Sequence, residues 1–281
     1  MLSILTNEKY KGDALLQKTF CTDFLTKKMK VNEGEVPQYY VENSHPAIFA
    51  PEVFDAVQAE LKRRRQPGRR NTTPHCFSGR IYCDECGAVY GSKVWNSNSK
   101  YRARVWQCNE KHRGHTVCKT PALRDETIQD AFVQAFNQVI GRKEEIIEAC
   151  EAVMRERCDT APLDEKITAL QTEMEVVAEL MRRCILTNAQ VAQDQAEYQR
   201  QYGEYEARYE QAKAGIAEAE ARREAMAAKR GQLALYMESL REKGLIRAFD
   251  ETLWYGTVEQ VRVKADGRMR FIFKGGQEIE V

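Results

Sequence analysis

The sequence predicts an α+β protein in which a long helical arm interrupts a small β-rich domain. Three observations predict this fold class: four cysteines at metal-ligand spacing among β-type runs, two successive heptad patterns, and a C-terminal pair of β-type runs across a turn signal. An isolated two-stranded hairpin is not stable in water, so we expect the C-terminal pair to fold back onto the cysteine-bearing strands. The arm is then an insertion within the β domain.

Residues 1–66 form a first, small mixed segment. Its β-type runs cover residues 14–20 and 38–41, and a helix follows them. Pro51 suits the first position of that helix. Four apolar residues at helical spacing give the helix one apolar face; they are Val53, Phe54, Val57 and Leu61. The segment is too short to build a large core of its own.

The formal net charge of +1 conceals an uneven distribution. Residues 1–124 carry 21 Lys and Arg against 12 Asp and Glu, whereas residues 125–281 carry 22 against 30. Lys and Arg side chains that contact phosphates release counterions and supply most of the sequence-independent affinity for nucleic acid. The basic first part therefore indicates a nucleic-acid partner.

A basic linker at residues 67–76 joins the first segment to the next, and six of the nine residues from 62 to 70 are cationic. A run of this kind is often only the solvated end of a helix. Because this one connects two parts that both suit DNA binding, we predict instead an arm that lies along a groove of duplex DNA. The predicted contacts are Arg63, Arg64, Arg65, Arg69 and Arg70.

Residues 77–124 form a predicted zinc β-ribbon. The four cysteines follow the pattern Cys-x2-Cys, a longer gap, and Cys-x9-Cys, which suits one tetrahedral Zn²⁺; they are Cys83, Cys86, Cys108 and Cys118. Gly87 follows the first pair, and its freedom to adopt positive φ lets backbone amides approach the sulfurs.

The second cysteine pair is the weaker signal, because His112 and His115 lie between its members. Either histidine is an alternative to Cys118 as the fourth ligand. Ordinary buried thiols or a disulfide are the remaining alternatives. Five further cysteines have no ligand spacing among them and are predicted to be structural thiols; they are Cys21, Cys76, Cys150, Cys158 and Cys184.

The ribbon strands are predicted at residues 79–82, 89–95 and 101–107, where aromatic and basic residues are interleaved. We predict that Lys93, Arg102 and Arg104 contact DNA phosphates. Trp95 and Trp106 are predicted to lie in the core rather than to stack on bases, because small zinc domains need large apolar side chains.

Residues 125–245 are predicted to be helical, with Asp125 as a candidate N-cap, a break at Gly141 and a second helix over 142–157. Two heptad seams then follow, separated by a predicted break at 186–188. The first seam is Leu163, Ile167, Leu170, Met174, Val177, Met181 and Cys184; the second is Tyr198, Tyr202, Tyr205, Tyr209, Ala212, Ile216 and Ala219.

The two seams face each other if the chain reverses at the break. They predict an antiparallel coiled-coil arm over about residues 163–226, on the order of 30 to 40 Å long at about 1.5 Å per residue. The exterior of the arm is acidic with alternating charges, which suits a protein partner better than DNA. Ile185, Leu186 and Val191 are the predicted contacts at its tip.

Residues 246–281 return to β structure. Val261 and Val263 are predicted to pair with Phe271 and Phe273 across a turn at Asp266 and Gly267. This hairpin is expected to complete the zinc domain.

The nine cysteines, the short apolar start and the lack of a membrane-length apolar run favour a reducing, cytoplasmic location. No membrane partner is expected.

In this order, the motifs of the chain resemble the C-terminal portion of large serine recombinases, the group that includes phage serine integrases and large transposon resolvases. The resemblance covers nearly the whole chain and rests on LTNEKYKGDALL at 5–16, DFLTKK at 23–28, VENSHPAIFAPEVFDAVQAELKRR at 41–64, the ribbon from FSGRIYCDECG to Cys118, and FDETLWYGTVEQVRVKADGRMRFIF near the C-terminus.

The resemblance implies a modular enzyme: a catalytic domain whose serine attacks DNA, a recombinase domain, and a zinc ribbon with a coiled-coil insertion. The matching sequence starts inside the last part of the recombinase domain, so no serine here corresponds to the family nucleophile, and the chain alone is not expected to cut DNA. The family's arms bring protomers together across two DNA sites and set the direction of recombination. Other recombinase protomers and a directionality factor are the implied partners.

Two functions from different classes remain at this point. The first is DNA binding and control of synapsis in site-specific DNA integration and excision. The second is a zinc-ribbon and coiled-coil adaptor that binds only protein. Duplex binding with a steep salt dependence is expected from the first alone.

Overall fold

The computed structural model describes residues 2–23, 25–64, 75–111, 118–191 and 194–281. It contains two compact units, one of residues 1–150 with 231–281 and one of residues 151–230. The helices are α1 (Leu2–Leu5), α2 (Pro51–Arg64), α3 (Asp125–Ile140), α4 (Lys143–Arg157), α5 (Ala161–Gln190), α6 (Gln195–Glu242) and α7 (Glu251–Thr257). The described strands are β1 (Ala14–Leu16), β2 (Thr19–Asp23), β3 (Lys28–Val31), β4 (Tyr39–Val41), β5 (Ile81–Cys83), β6 (Tyr90–Trp95), β7 (Ala103–Cys108), β8 (Leu123–Arg124), β9 (Val258–Val263), β10 (Met269–Phe273) and β11 (Glu278–Glu280).

The N-terminal segment folds as two antiparallel strand pairs, β1 with β4 and β2 with β3. Helix α2 begins at Pro51, as the sequence predicts, and its Gln58 side chain donates to the carbonyl of Leu5 at 2.6 Å. Glu60 accepts a hydrogen bond from Arg80, which lies just before β5, at 3.1 Å. The Arg80 side chain is 7% exposed, so this ion pair joins α2 to the ribbon through a desolvated charge.

The C-terminal hairpin does fold back onto the cysteine-bearing strands. Strand β9 pairs in parallel with β5 in the four-stranded sheet β11-β10-β9-β5, although the helical arm separates the two strands in sequence. Ile81 lies opposite Val261, and Cys83 lies opposite Val263. The insertion predicted from the instability of a lone hairpin is confirmed.

The register of the hairpin differs in part from the predicted one. Val261 pairs with Phe271 as predicted, but Val263 pairs with Met269 and Phe273 pairs with Val258. The register shifts between Ile272 and Phe273 because a bulge leaves Glu259 of β9 out of the pairing. Strand β11, which the sequence analysis did not predict, covers the outer edge of β10.

An aromatic core lies between this sheet and helix α3. The indole of Trp254 is 0% exposed, packs 4.8 Å from the Phe77 ring centroid and 5.4 Å from that of Phe132, and donates to the carbonyl of Cys76 at 3.0 Å. Tyr236 on α6 is also buried and donates its hydroxyl to Gln277 at 2.8 Å. The core thus fixes the sheet that carries Cys83.

The start of α3 corrects the predicted cap. Arg124 occupies the N-cap position without a side-chain cap hydrogen bond, and Asp125 is the first helical residue. The Asp125 carboxylate instead accepts from the indole nitrogen of Trp106 at 2.6 Å. Gly141 follows the last residue of α3, which confirms the predicted break.

The second unit is an antiparallel helical hairpin. Asp164 on α5 pairs with Arg223 on α6 at 3.0 Å, and Glu173 pairs with Arg208 at 2.5 Å, so the two helices run in opposite directions. The residues of both predicted seams are buried or half-buried. The predicted break at 186–188 is wrong, because α5 continues to Gln190. Thr187 is within the helix and donates its hydroxyl to the carbonyl of Arg183 at 2.8 Å.

Candidate metal centre and basic surface

The first cysteine knuckle follows strand β5. Cys83 ends the strand, and its backbone N–H donates to the carbonyl of Ala88 at 2.8 Å. Gly87 has a φ of +71° and donates its N–H to the carbonyl of Cys83 at 3.0 Å. The positive φ expected of Gly87 is confirmed, and the tight turn points Cys86 back toward Cys83.

The second pair of cysteines meets the first. Cys108 ends strand β7, and a turn follows in which the N–H of Lys111 donates to the Cys108 carbonyl at 3.2 Å. The Sγ atoms of Cys83 and Cys118 are 3.3 Å apart, those of Cys86 and Cys108 are 3.4 Å apart, and all four sulfurs lie within 4.8 Å of one another.

These distances fit a metal-binding group better than the alternatives. A disulfide has an S–S distance of about 2.05 Å, well below either separation. Four sulfurs at about 2.3 Å from a tetrahedral zinc lie roughly 3.8 Å from one another. Cys83, Cys108 and Cys118 are buried and Cys86 is exposed. His112 and His115, the alternative ligands, lie outside the described residues.

The surroundings of the sulfurs shift the pKa values of the cysteines in different directions. Burial alone would raise the pKa of Cys83, but hydrogen bonds from the Thr120 hydroxyl and the Cys86 backbone lower it to about 7. Burial raises the pKa of Cys108 and of Cys118. Because metals bind thiolates, loading this centre must release protons, including those of Cys108 and Cys118.

Thr120 and Glu85 also line the centre, and the sequence analysis predicted neither. Thr120 is wholly buried, and its hydroxyl lies 2.9 Å from the Cys118 sulfur. A Glu85 carboxylate oxygen lies 3.5 Å from the same sulfur. Their signal in the sequence is only closeness to a ligand cysteine, which is too common to single out a residue.

Cys76 lies in the aromatic core, and the metal-ligand group is formed by the other four cysteines of the ribbon. Burial raises the pKa of Cys76 to about 12, so its thiol stays protonated at neutral pH. A buried protonated thiol behaves as a small apolar side chain, which agrees with the structural role predicted for it.

The predicted DNA contacts of the ribbon lie on two faces of the β6–β7 hairpin. Lys93 is opposite Val105, whereas Arg104 is opposite Val94, and directly paired residues share a face. Lys93 and Arg104 therefore point to opposite sides. Arg102 is exposed in the turn before β7. The Arg104 guanidinium also lies 3.9 Å from the Asp125 carboxylate, which reduces its availability to a phosphate.

The two ribbon tryptophans differ in environment. Trp106 is 1% exposed and belongs to the core, as predicted. The prediction for Trp95 is wrong, because its side chain is 49% exposed. Trp95 pairs with Ala103 next to the turn that connects β6 to β7. Nearby, Tyr101 is 69% exposed, with the Lys100 ammonium 5.2 Å from its ring centroid.

The predicted linker contacts fall largely outside what the structure describes. Arg65, Arg69 and Arg70 lie outside the described residues. Arg63 and Arg64 end helix α2, and their side chains are likewise outside the description. The predicted contacts at the tip of the arm are all exposed near the α5–α6 turn; they are Ile185, Leu186 and Val191.

No helix in the described part of the chain has both the length and the apolar composition that a membrane span requires.

Comparison with known proteins gives two family matches along the chain. Residues 1–64 match the family model described as Recombinase, and residues 76–137 match the model described as Recombinase zinc beta ribbon domain. A search of curated proteins finds no match. A solved structure described as "Crystal Structure of a LSR-DNA Complex" aligns with 97% of this chain and 73% of that chain at 15% identity, with a TM-score of 0.34, too low to support an argument. The two models match in succession, so the chain carries a segment similar to recombinases followed by one similar to the zinc β-ribbon domain of recombinases.

Proposed function

We propose that this chain is the DNA-binding and synapsis-controlling region of a site-specific serine recombinase acting in DNA integration and excision. Strand cleavage in this proposal belongs to a catalytic domain outside the chain. The two family matches support the recombinase assignment. The observation that carries DNA binding is the exposed cationic and aromatic end of the β6–β7 hairpin, with Lys93, Trp95, Lys100 and Tyr101.

Zn²⁺ is the metal we propose for the cysteine centre. Cys83, Cys86, Cys108 and Cys118 would hold it, and four thiolates with no open position are typical of structural zinc sites. Such a site contributes free energy of folding by joining the ends of β5 and β7. Its role would be to hold the β6–β7 hairpin in a fixed orientation.

The chemistry of the hairpin end suits a nucleic acid. Lysine ammonium groups attract phosphates, and an exposed indole or phenol offers an apolar surface to sugars and bases. Lys93 and Trp95 lie two residues apart on one strand, so they share a face. The cationic residues 62–70 extend the basic character of this part of the chain.

The tip of the α5–α6 hairpin is proposed to bind other recombinase protomers. Leu186 is 58% exposed, as is Val191, and Ile185 is 47% exposed. Exposed aliphatic side chains at the end of a charged coiled coil fit a helical protein partner. A directionality factor is a second partner that could use this surface.

Binding to a fluorescein-labelled 40-base-pair duplex of mixed sequence tests the proposal. Zinc-loaded protein should bind it with an affinity that falls steeply as salt rises. Lys93→Gln with Lys100→Gln should reduce the slope of log K against log salt by up to about two, since each phosphate that a lysine neutralises contributes about 0.9. The matched control is Lys166→Gln with Lys213→Gln on the arm, which should change nothing. Absence of duplex binding at low salt would leave the protein-adaptor function in its place.

A further inference from the structure

Thr120 occupies an unusual position beside the cysteine centre. It is 0% exposed, and its Oγ1 lies 2.9 Å from the sulfur of Cys118 and 3.5 Å from that of Cys83. Lys111 donates its ammonium to the Thr120 carbonyl at 2.7 Å, which anchors the backbone of Thr120. This buried hydroxyl is therefore within hydrogen-bond distance of two of the four sulfurs of the centre.

The negative charge around Cys118 favours a hydrogen-bond donor beside its sulfur, and the Thr120 hydroxyl can supply one. Four thiolates exceed the charge of one divalent cation, so the loaded centre keeps negative charge at sulfurs that are mostly buried. A carboxylate oxygen of Glu85 adds to this, because it lies 3.5 Å from the Cys118 sulfur and is held there by the backbone N–H of Lys119 at 2.9 Å. The Cys118 thiolate therefore needs a hydrogen-bond donor more than the thiolates of the other three cysteines do.

We propose that Thr120 is a positioning residue of the metal centre, whose hydroxyl donates to the Cys118 thiolate, with Cys83 as a second acceptor. The inference rests on the proposed zinc site and extends it. A threonine hydroxyl has one proton to donate, and Cys118 is the nearer acceptor. Hydrogen bonds to charged groups are about twice as strong as neutral ones, and outer partners of ligands tune metal affinity about 10- to 100-fold.

Zinc affinity of Thr120→Val, measured by competition with a chromophoric chelator, tests the proposal. Valine keeps the shape of threonine and removes the hydroxyl. The zinc dissociation constant should rise about 10- to 100-fold, whereas Thr120→Ser, which keeps the hydroxyl, should stay within about threefold of the original protein. The matched control is Thr257→Val, which removes an equally buried hydroxyl that donates to the Leu253 carbonyl at 2.6 Å, away from the sulfurs.

A spectroscopic readout separates positioning from general packing. With Co²⁺ in place of zinc, loss of a hydrogen bond to a thiolate should shift the sulfur-to-cobalt charge-transfer band to longer wavelength in Thr120→Val and not in Thr120→Ser or Thr257→Val. An unchanged dissociation constant and band in Thr120→Val would overturn the role of Thr120. If that variant does not fold, equal zinc affinities of Thr120→Ser and Thr120→Ala would overturn it. Failure of the original protein to bind zinc would instead remove the zinc site itself.

Discussion

At the scale of single residues, the proposed zinc site depends on four cysteines, of which Cys86 is exposed and the other three are buried. The sulfurs of Cys83, Cys86, Cys108 and Cys118 lie within 4.8 Å of one another, and the spacing of these cysteines in the sequence was enough to predict that they meet. Trp95 and Trp106 show the limit of residue-level reasoning. Both lie in ribbon strands, but their exposure depends on what packs against each end of the hairpin, and the local sequence does not encode that.

We predict one zinc per chain and ligation by all four cysteines. Cys118→Ser should weaken zinc binding by at least about 100-fold, because a neutral hydroxyl replaces a thiolate ligand. Metal analysis after dialysis against a weak chelator measures this. Cys21→Ser is the control, since Cys21 is exposed and outside the cluster. Full zinc content in Cys118→Ser would show that His112 or His115 supplies the fourth ligand.

At the scale of elements, the strands and helices could be predicted where periodicity or turn residues were clear. The end of α5 could not, because Leu186, Thr187 and Asn188 interrupt the seam but not the helix. Strand β11 was missed although Gly275 and Gly276 before it are a turn signal, and Gly276 has a φ of +87°. The register shift that leaves Glu259 of β9 out of the pairing was not predicted, because a bulge of one residue needs no turn residue in the sequence.

The ion pair between α2 and the ribbon gives an element-scale prediction. Glu60→Gln removes the carboxylate that the Arg80 guanidinium, 7% exposed, contacts at 3.1 Å, and should destabilise the docking of α2 by about 2 kcal/mol. Hydrogen exchange of the α2 amides and urea unfolding of the zinc-loaded protein measure the loss. Glu278→Gln is the control, because its pair with Arg270 is 3.8 Å long and largely exposed, and should cost less than about 1 kcal/mol. Equal exchange rates in Glu60→Gln and the original protein would contradict the anchoring role.

The arm tip gives a second element-scale prediction. Ile185→Ser, Leu186→Ser and Val191→Ser together, in this segment joined behind a serine recombinase catalytic domain, should leave single-site DNA binding intact but abolish pairing of two sites. Pairing should be lost because the substitutions remove the exposed apolar area at the tip, and single-site binding should remain because they leave the basic surface unchanged. Gel-shift assays with one and two DNA sites separate the two effects. Undiminished pairing would show that the hairpin only supports the ribbon.

At the scale of the whole molecule, the insertion of the arm was predictable from one physical argument, the instability of a lone hairpin. The parallel pairing of β9 with β5 was not, because strand partners far apart in sequence are chosen by the assembled core around Trp254. The excess of Lys and Arg in residues 1–124 predicted a nucleic-acid partner. It did not reveal that Lys93 and Arg104 lie on opposite faces, which depends on the β6–β7 register.

The linker gives a whole-molecule prediction, since its arginines and the basic residues of the ribbon are proposed to contact the same duplex. Neutralising Arg65, Arg69 and Arg70 to Gln should weaken binding to any duplex sequence and reduce the salt slope by about 0.9 for each phosphate that the linker no longer neutralises. The matched control neutralises three arginines of the arm, Arg182, Arg208 and Arg222. Equal slopes in the linker variant and the original protein would make the linker a tether alone.

If zinc holds the ribbon in the form that binds duplex DNA, the affinity for a duplex must depend on zinc. Affinity for the labelled 40-base-pair duplex is measured across a salt series for zinc-loaded protein, for protein stripped with a chelator, and for stripped protein with zinc restored. We expect steeply salt-dependent binding that weakens at least about tenfold on stripping and returns with zinc. Binding that is absent in all three samples, or equally strong with and without zinc, would contradict it.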